Sequence, residues 1–445
     1  MPHLSAIPHR GPATGDRGPG LVRAIGRWTL AALILNSIIG SGIFGMPSDV
    51  ARLVGSAGPI AYLIAAAGIG VIMGCFAEVA SQFSEAGGPY LYARAAYGRF
   101  LGIQMGWLAL LVRLTSAAAN SNLFIVYLGQ FYPAATDPGP RAVLLTLLLG
   151  LLLLINIGGV RGGAQLSNFF MIAKLVPIVV FIAAGFFLIG WQVPAPRFEA
   201  GLSDWMLALL ALVFAYGGFE AGLIPMSEVK QPRRDAPFAL FVALASCALL
   251  YTAVHLVVMS ALPAPALSSR PVADAAYVFL GPGGASFIAL GAMVSMYGYL
   301  SGQFVSTPRL PFALAEGGDF PSFFGAVHRR FRTPHLSILV YGVLVWALAI
   351  HGSFIWNAIL SAVARLFTYA LVCGALIILR RSNRDAGAYR LPGGKIFAWV
   401  GIAFSAALVL RMGWEELAIV GLTAAVALVN WLWVRRRALS RLPSP

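Results

Sequence analysis

The chain has 445 residues, of which 59% are apolar and only 11% charged, with 31 Lys and Arg against 16 Asp and Glu. A soluble domain carries about 25% charged residues, so this composition excludes one and points to an integral membrane protein. The basic excess would suit nucleic acid by sign alone, but it is concentrated between apolar runs and reads as a topology signal instead.

Residues 1–26, rich in Gly, Pro and Arg, are expected to form a disordered cytoplasmic tail. No small-residue cleavage site follows the first apolar run, so that run is expected to stay as an anchor. About 12 apolar runs are long enough to cross roughly 30 Å of hydrocarbon. They cover residues 27–48, 57–81, 100–131, 141–159, 165–190, 203–226, 236–261, 283–307, 336–351, 355–380, 396–412 and 415–434, and residues 435–445 form a second cytoplasmic tail. None alternates as the strands of a membrane barrel do, which leaves helices to satisfy the backbone and predicts an all-α membrane protein. With residues at span edges counted in the adjoining segment, 23 Lys and Arg fall on one side, 5 on the other and 3 within spans. That asymmetry places both termini in the cytoplasm, with the bacterial cytoplasmic membrane as the expected location. Cys75, Cys247 and Cys373 all fall within spans and show no paired spacing, so neither a disulfide framework nor a metal site is expected.

The first span contains Gly40, Gly42, Gly45 and Pro47, which together are expected to unwind its backbone. Unpaired peptide groups are tolerated at membrane depth only beside a cavity or a ligand. Close helix packing through small residues is the alternative, since Ser41 and Gly45 are four apart. The sixth span repeats the pattern: Gly40 to Pro47 and Gly218 to Pro225 are both seven residues, with Ser48-Asp49-Val50 following the first proline and Ser227-Glu228-Val229 closely following the second. Five spans separate the two breaks, and an odd number inverts the second unit relative to the first. Paired interrupted spans in two halves of a chain point to the midplane site of a secondary transporter.

Three blocks in combination carry a likeness: Ile39-Gly-Ser-Gly-Ile-Phe-Gly-Met-Pro47, Ala77-Glu-Val-Ala-Ser-Gln-Phe-Ser-Glu-Ala-Gly-Gly-Pro-Tyr90, and Phe214-Ala-Tyr-Gly-Gly-Phe-Glu220 running on to Asp235. The chain resembles the amino acid–polyamine–organocation transporters, which share the leucine-transporter fold. That resemblance implies two inverted five-helix repeats, residues 27–190 and 203–381, with discontinuous helices 1 and 6, and two additional helices over 396–434. It also implies a substrate site at the breaks. Amides near Ser41 and Gly42, at the amino end of a half-helix, would hold a substrate carboxylate with help from the Ser41 hydroxyl. Free carbonyls at Ile38, Phe214 and Gly217 would accept from the substrate ammonium, and Phe214 resembles the aromatic gate of the family, although packing explains an apolar-span Phe equally well.

Ionisable groups at membrane depth are costly, and each suggests a function. Lys174 either snorkels to the cytoplasmic face or, as the resemblance implies, takes the place of a coupling cation between spans 1 and 8, where proton gain and loss would couple to transport. Glu220, at the second break, matches a proton-sensitive gate position, and capping of free amides is the structural alternative. Glu78, near the cytoplasmic end of the second span, is expected to anchor a loop, with a part in the inner gate as the alternative. Arg113 and Arg365 would pair with a carboxylate or recognise an acidic substrate, and His255 is read as a satisfied packing residue. Asn120, Tyr297 and Tyr299 are polar candidates for the pocket wall.

The expected function is secondary transport of an amino acid by alternating access, coupled to protons as a symporter. Exchange of an amino acid or polyamine is the alternative, with a sodium-coupled carrier or channel behind it. No filter or ring of charges marks a channel. Neither His-Glu-x-x-His nor Gly-x-Ser-x-Gly occurs, nor a Gly-x-x-x-x-Gly-Lys-Ser/Thr loop, so no enzyme, no cofactor and no self-contained ATP-driven pump is expected. The partners are an amino acid, protons and the bilayer, without nucleic acid. Few charges line the expected pocket, which favours a neutral cargo, while Glu220 leaves a cationic one open.

Overall fold

In a computed structural model, residues 23–83, 87–159, 163–190, 195–224, 226–381 and 389–439 are described. Pro225, residues 84–86 of the second sequence block, most of the amino-terminal tail and the end of the carboxy-terminal tail lie outside them. The described chain is all-α apart from one isolated parallel bridge, Ile25 to Val229.

The first span is two helices, α1 (Arg27–Ile38) and α2 (Gly42–Val54), and α3 (Gly58–Ser81) follows a turn at Gly55. A short helix, α4 (Gly88–Tyr97), leads into α5 (Arg99–Leu128), and then come α6 (Pro138–Gly158) and α7 (Gly163–Ile189). The sixth span is again divided, into α8 (Leu202–Tyr216) and the single turn α9 (Phe219–Gly222). After it run α10 (Pro232–Ala261), α11 (Pro271–Ser306), α12 (Arg309–Glu316), α13 (His335–His351), α14 (Phe354–Arg381), α15 (Gly394–Val409) and α16 (Trp414–Leu439). Among the described residues nine helical runs are long and apolar enough to cross a membrane, and α13 and α15 are shorter apolar helices. One of the nine, Gly42–Ser81, contains both α2 and α3. Divided at Gly55, the set matches the expected number of about 12 crossings.

The core centres on the broken helices, α3, α5, α10 and α14, where residues such as Ile38, Phe76, Leu212 and Val363 are buried. Small residues let these helices touch, as expected where lipid supplies no hydrophobic drive between helices. Outer helices show the opposite pattern, with Leu147, Leu151 and Leu154 of α6 and Val176 and Val179 of α7 exposed.

Three differences from the sequence expectation have physical causes. Only residues 39–41 are unwound at the first break: α2 stays helical through Gly45 and Pro47. Gly45 is there for packing, because a Cβ on it would lie 2.4 Å from Cε1 of Phe354. Second, the amino-terminal segment is ordered at Ile25, whose N–H donates to the Glu228 carbonyl at 3.0 Å while Lys230 N–H donates to Ile25 at 2.9 Å. Third, α4, α12 and the first arm of α11 are helices outside the expected apolar runs, too short or too polar for composition to reveal them. That arm ends where Gly281 adopts φ 67° and the following Pro282 starts a new helix.

Candidate functional site

The two breaks lie against each other in antiparallel register. A Cβ placed on Gly42 would sit 2.8 Å from Cα of Ala215, one on Gly218 2.3 Å from the Ser37 carbonyl oxygen, and one on Gly222 2.5 Å from Cγ1 of Ile34. Residue numbers fall along one helix as they rise along the other, so the two discontinuous spans cross at their breaks with opposite directions. Gly218 also has φ 111°, a conformation that side chains other than glycine's strongly disfavour. The glycines therefore serve both expected purposes, unwinding the backbone and allowing close approach.

Each break exposes helix ends. α1 finishes with Ile39 N–H donating to Leu35 at 3.0 Å, and Ser41 precedes the first turn of α2 without a side-chain cap. Carbonyls at the end of α1 carry the negative end of its dipole and amides at the start of α2 the positive end of the other, so the site offers both polarities within a few residues. Lys174 of α7 answers the negative end: its Nζ donates to the carbonyls of Asn36 at 3.1 Å and Ile39 at 2.9 Å. With 2% of its surface exposed, Lys174 does not snorkel.

The positive end meets Asn120 of α5, whose Oδ1 accepts from Ser41 N–H at 3.0 Å. From there a chain of contacts runs to the second break. Asn120 Nδ2 donates to the Ser116 carbonyl at 2.8 Å, and the Ser116 hydroxyl accepts from Arg365 Nη2 at 3.0 Å. Arg365 Nη1 pairs with Glu220 Oε1 at 2.7 Å, and Glu220 Oε2 accepts from Gly218 N–H at 3.0 Å and from the Tyr369 hydroxyl at 3.3 Å. Glu220 is thus both an amide cap and half of an ion pair. Gly217 makes room for the pair, since a Cβ on it would lie 2.1 Å from Arg365 Nη1.

Two of the carbonyls expected to be free have donors. Tyr251 of α10 reaches the Ile38 carbonyl at 3.3 Å and that of Ala215 at 3.1 Å, while Gly217 N–H donates to Phe214 at 3.2 Å. A carbonyl has two lone pairs and accepts a second donor readily. The Phe214 ring meets Phe354 edge to face with centroids 6.0 Å apart. The Ser41 hydroxyl is buried and has no protein partner among the described residues.

Other sequence candidates lie apart from this centre. Glu78 takes both oxygens to Arg380 at 2.6 Å and accepts from Leu391 N–H at 2.8 Å, which ties the end of α3 to α14 and to the segment before α15. His255 is fully buried beside Tyr62, but neither ring nitrogen finds a partner among the described residues, so it is packed without being satisfied. Tyr297 packs on Phe170, and Tyr299 lies over Gly40. Arg365 pairs with a carboxylate, one of its two expected roles, although its partner Glu220, 145 residues away, was not readable, and Tyr251 was not singled out because its partner Ile38 is 213 residues away. No group of three or more His, Cys, Asp or Glu able to hold a metal occurs among the described residues.

A model of the amino acid permease family matches residues 25–429 of the chain. The methylthioribose transporter of Bacillus subtilis (strain 168) is 28% identical over 403 residues, covering 85% of this chain and 86% of that protein. A branched-chain amino acid permease of the same organism is 25% identical, covering 88% of this chain and 89% of that protein. A serine/threonine exchanger, also from that organism, is 28% identical, covering 84% of this chain and 87% of that protein.

Proposed function

The chain belongs to the amino acid permease family of the amino acid–polyamine–organocation transporters, and on that premise we propose that it is a secondary carrier moving an amino acid across the cell membrane by alternating access in symport with protons. The observation that carries the reading is the crossing of two oppositely directed, broken helices at Gly42 and Gly218. In this reading the Ser41 and Gly42 amides and the Ser41 hydroxyl receive the carboxylate, with Asn120 yielding the Ser41 amide when substrate arrives. The carbonyls of Ile38, Phe214 and Gly217 receive the ammonium, and Phe214 covers the bound molecule. Lys174, bonded to the end of α1, supplies the coupling charge, and Glu220 links the second break to α14. The two tails lie in the cytoplasm, on the side carrying most of the Lys and Arg.

Exchange is a second reading, favoured by the similarity to a serine/threonine exchanger. The same geometry serves both modes, which differ in whether the empty carrier reorients. Purified protein in liposomes separates them. Saturable uptake of an amino acid driven by an inward proton gradient, without ATP and without internal substrate, is the expected result. Uptake only into amino acid-loaded liposomes would replace symport with exchange, an absolute need for sodium would remove Lys174 from the coupling role, and unsaturable conductance would remove the carrier itself.

A further inference from the structure

Of the charges at membrane depth that the sequence singles out, most are matched in the structure: Glu78 by Arg380, Glu220 by Arg365, and Lys174 by two carbonyls. Arg113 is not. It lies midway along α5 between the buried Val112 and Leu114, keeps part of its surface accessible, and makes no hydrogen bond or ion pair with any described residue. A guanidinium without a bonded partner at such a depth is among the most costly features a membrane helix can carry.

Its position on α5 tells where it faces. Arg113, Ser116 and Asn120 follow the spacing of one helix face. Ser116 bonds Arg365 and Asn120 bonds the Ser41 amide, so this face looks onto the contacts that join the two breaks. Arg113 sits seven positions before Asn120, about 10 Å along the helix axis. Glu220, Tyr299, Tyr341 and Arg365 lie within electrostatic reach, and the buried Tyr341 hydroxyl has no partner among the described residues. The single carboxylate there, Glu220, is already engaged by Arg365, Gly218 and Tyr369. Two guanidinium groups against one carboxylate leave one net positive charge on this face, and a planar guanidinium is suited to grip a carboxylate through two parallel bonds.

We propose that Arg113 is an anion subsite of the transport path, so that the carried amino acid bears a second acidic group, a carboxylate or an oxyanion of similar size. The proposal rests on the amino acid carrier reading above and replaces the neutral cargo expected from the sequence by an acidic one. It requires the α-carboxylate and ammonium to be read at the breaks and the extra charge on α5.

Wild-type protein in liposomes is assayed with labelled L-glutamate, L-aspartate, L-leucine and L-lysine. The expected result is saturable uptake of glutamate or aspartate with kcat/KM about tenfold or more above that of leucine, the ratio one charge-assisted contact supplies. Arg113→Gln should shift the acid-to-leucine ratio about tenfold toward leucine, and Arg113→Lys should restore part of it. Uptake of leucine or lysine without the acids, or an unchanged ratio in Arg113→Gln, overturns the subsite while leaving the carrier reading intact. Transport of none of the four overturns both. If the glutamine variant fails to insert, thermal unfolding of the wild type decides: greater stabilisation by glutamate than by leucine supports the subsite, and the reverse order overturns it.

Discussion

Arg365 and Glu220 meet at 2.7 Å, joining an unbroken helix, α14, to the turn that restarts the broken sixth span. Both side chains are largely buried, 4% and 13% exposed, so neither charge has water to fall back on if the other is removed. Breaking such a pair from one side costs about 3–5 kcal/mol, whereas replacing both members with apolar groups is often neutral. Glu220→Ala should therefore lower the unfolding temperature in detergent more than the double variant Glu220→Leu with Arg365→Met. Both should lose uptake, because Gly218 loses its cap in each. Equal stability of the single and double variants would show that the pair is not coupled.

Lys174→Ala removes the ammonium that bonds the end of α1. Membrane insertion is expected to persist and proton-driven uptake to fall below detection, while Lys174→Arg should fail to rescue because a guanidinium titrates only far above the working range. Uptake measured at several imposed pH gradients checks this, and full pH-driven transport in the alanine variant would remove the residue from coupling.

Gly42→Ala and Gly218→Ala should separate the two uses of glycine. At Gly42 the cost is collision with Ala215, and at Gly218 it is collision with Ser37 together with the positive φ, so the second variant should be the more destabilised. The backbone term alone is about 1–2 kcal/mol. Gly139→Ala, where an added Cβ meets nothing within 4 Å, is the matched control. Thermal unfolding of the three variants gives the order.

Tyr90 of α4 donates to Asp319, the acid that also binds Arg94 and Arg99 at 2.6 Å each. Burial, aided by that bond, pushes the phenol up to about 12. Between pH of about 10 and about 12 the unfolded chain gives up the phenol proton that the folded chain still holds, so this contribution is complete below about 10 and fades as pH rises toward about 12. Tyr90→Phe should flatten that part of the stability profile, read as unfolding temperature against pH. Asp319→Asn should destabilise at neutral pH, by leaving two arginines without their anion.

The number of crossings, the two breaks and the candidate charges were legible in the sequence because each is a local matter of composition: apolar run length, glycine clusters, an ionisable residue in lipid. The extent of the first break was not. Gly45 and Pro47 are breakers by propensity, yet α2 continues through them because Phe354 and the surrounding helices hold the segment in place. Nor could partners be read, since Asn120 meets Ser41 across 79 residues and Arg365 meets Glu220 across 145. Distances of that kind are fixed by packing, on which the local pattern is silent. Loop anchoring by Glu78 was an exception, suggested by its place at a span end.

The close approach of Gly42 to Ala215 also has a mechanical meaning. It is a fulcrum. On one side of it α1 is a lever arm of 12 residues and on the other α2 is one of 13, each about 18–20 Å long. A rigid tilt of about 10° about that point carries the two far ends about 3 Å in opposite directions, since helix length multiplies the angle. In the carrier reading, a tilt that widened one mouth of the bundle would narrow the other when the short break at residues 39–41 carries the two arms together.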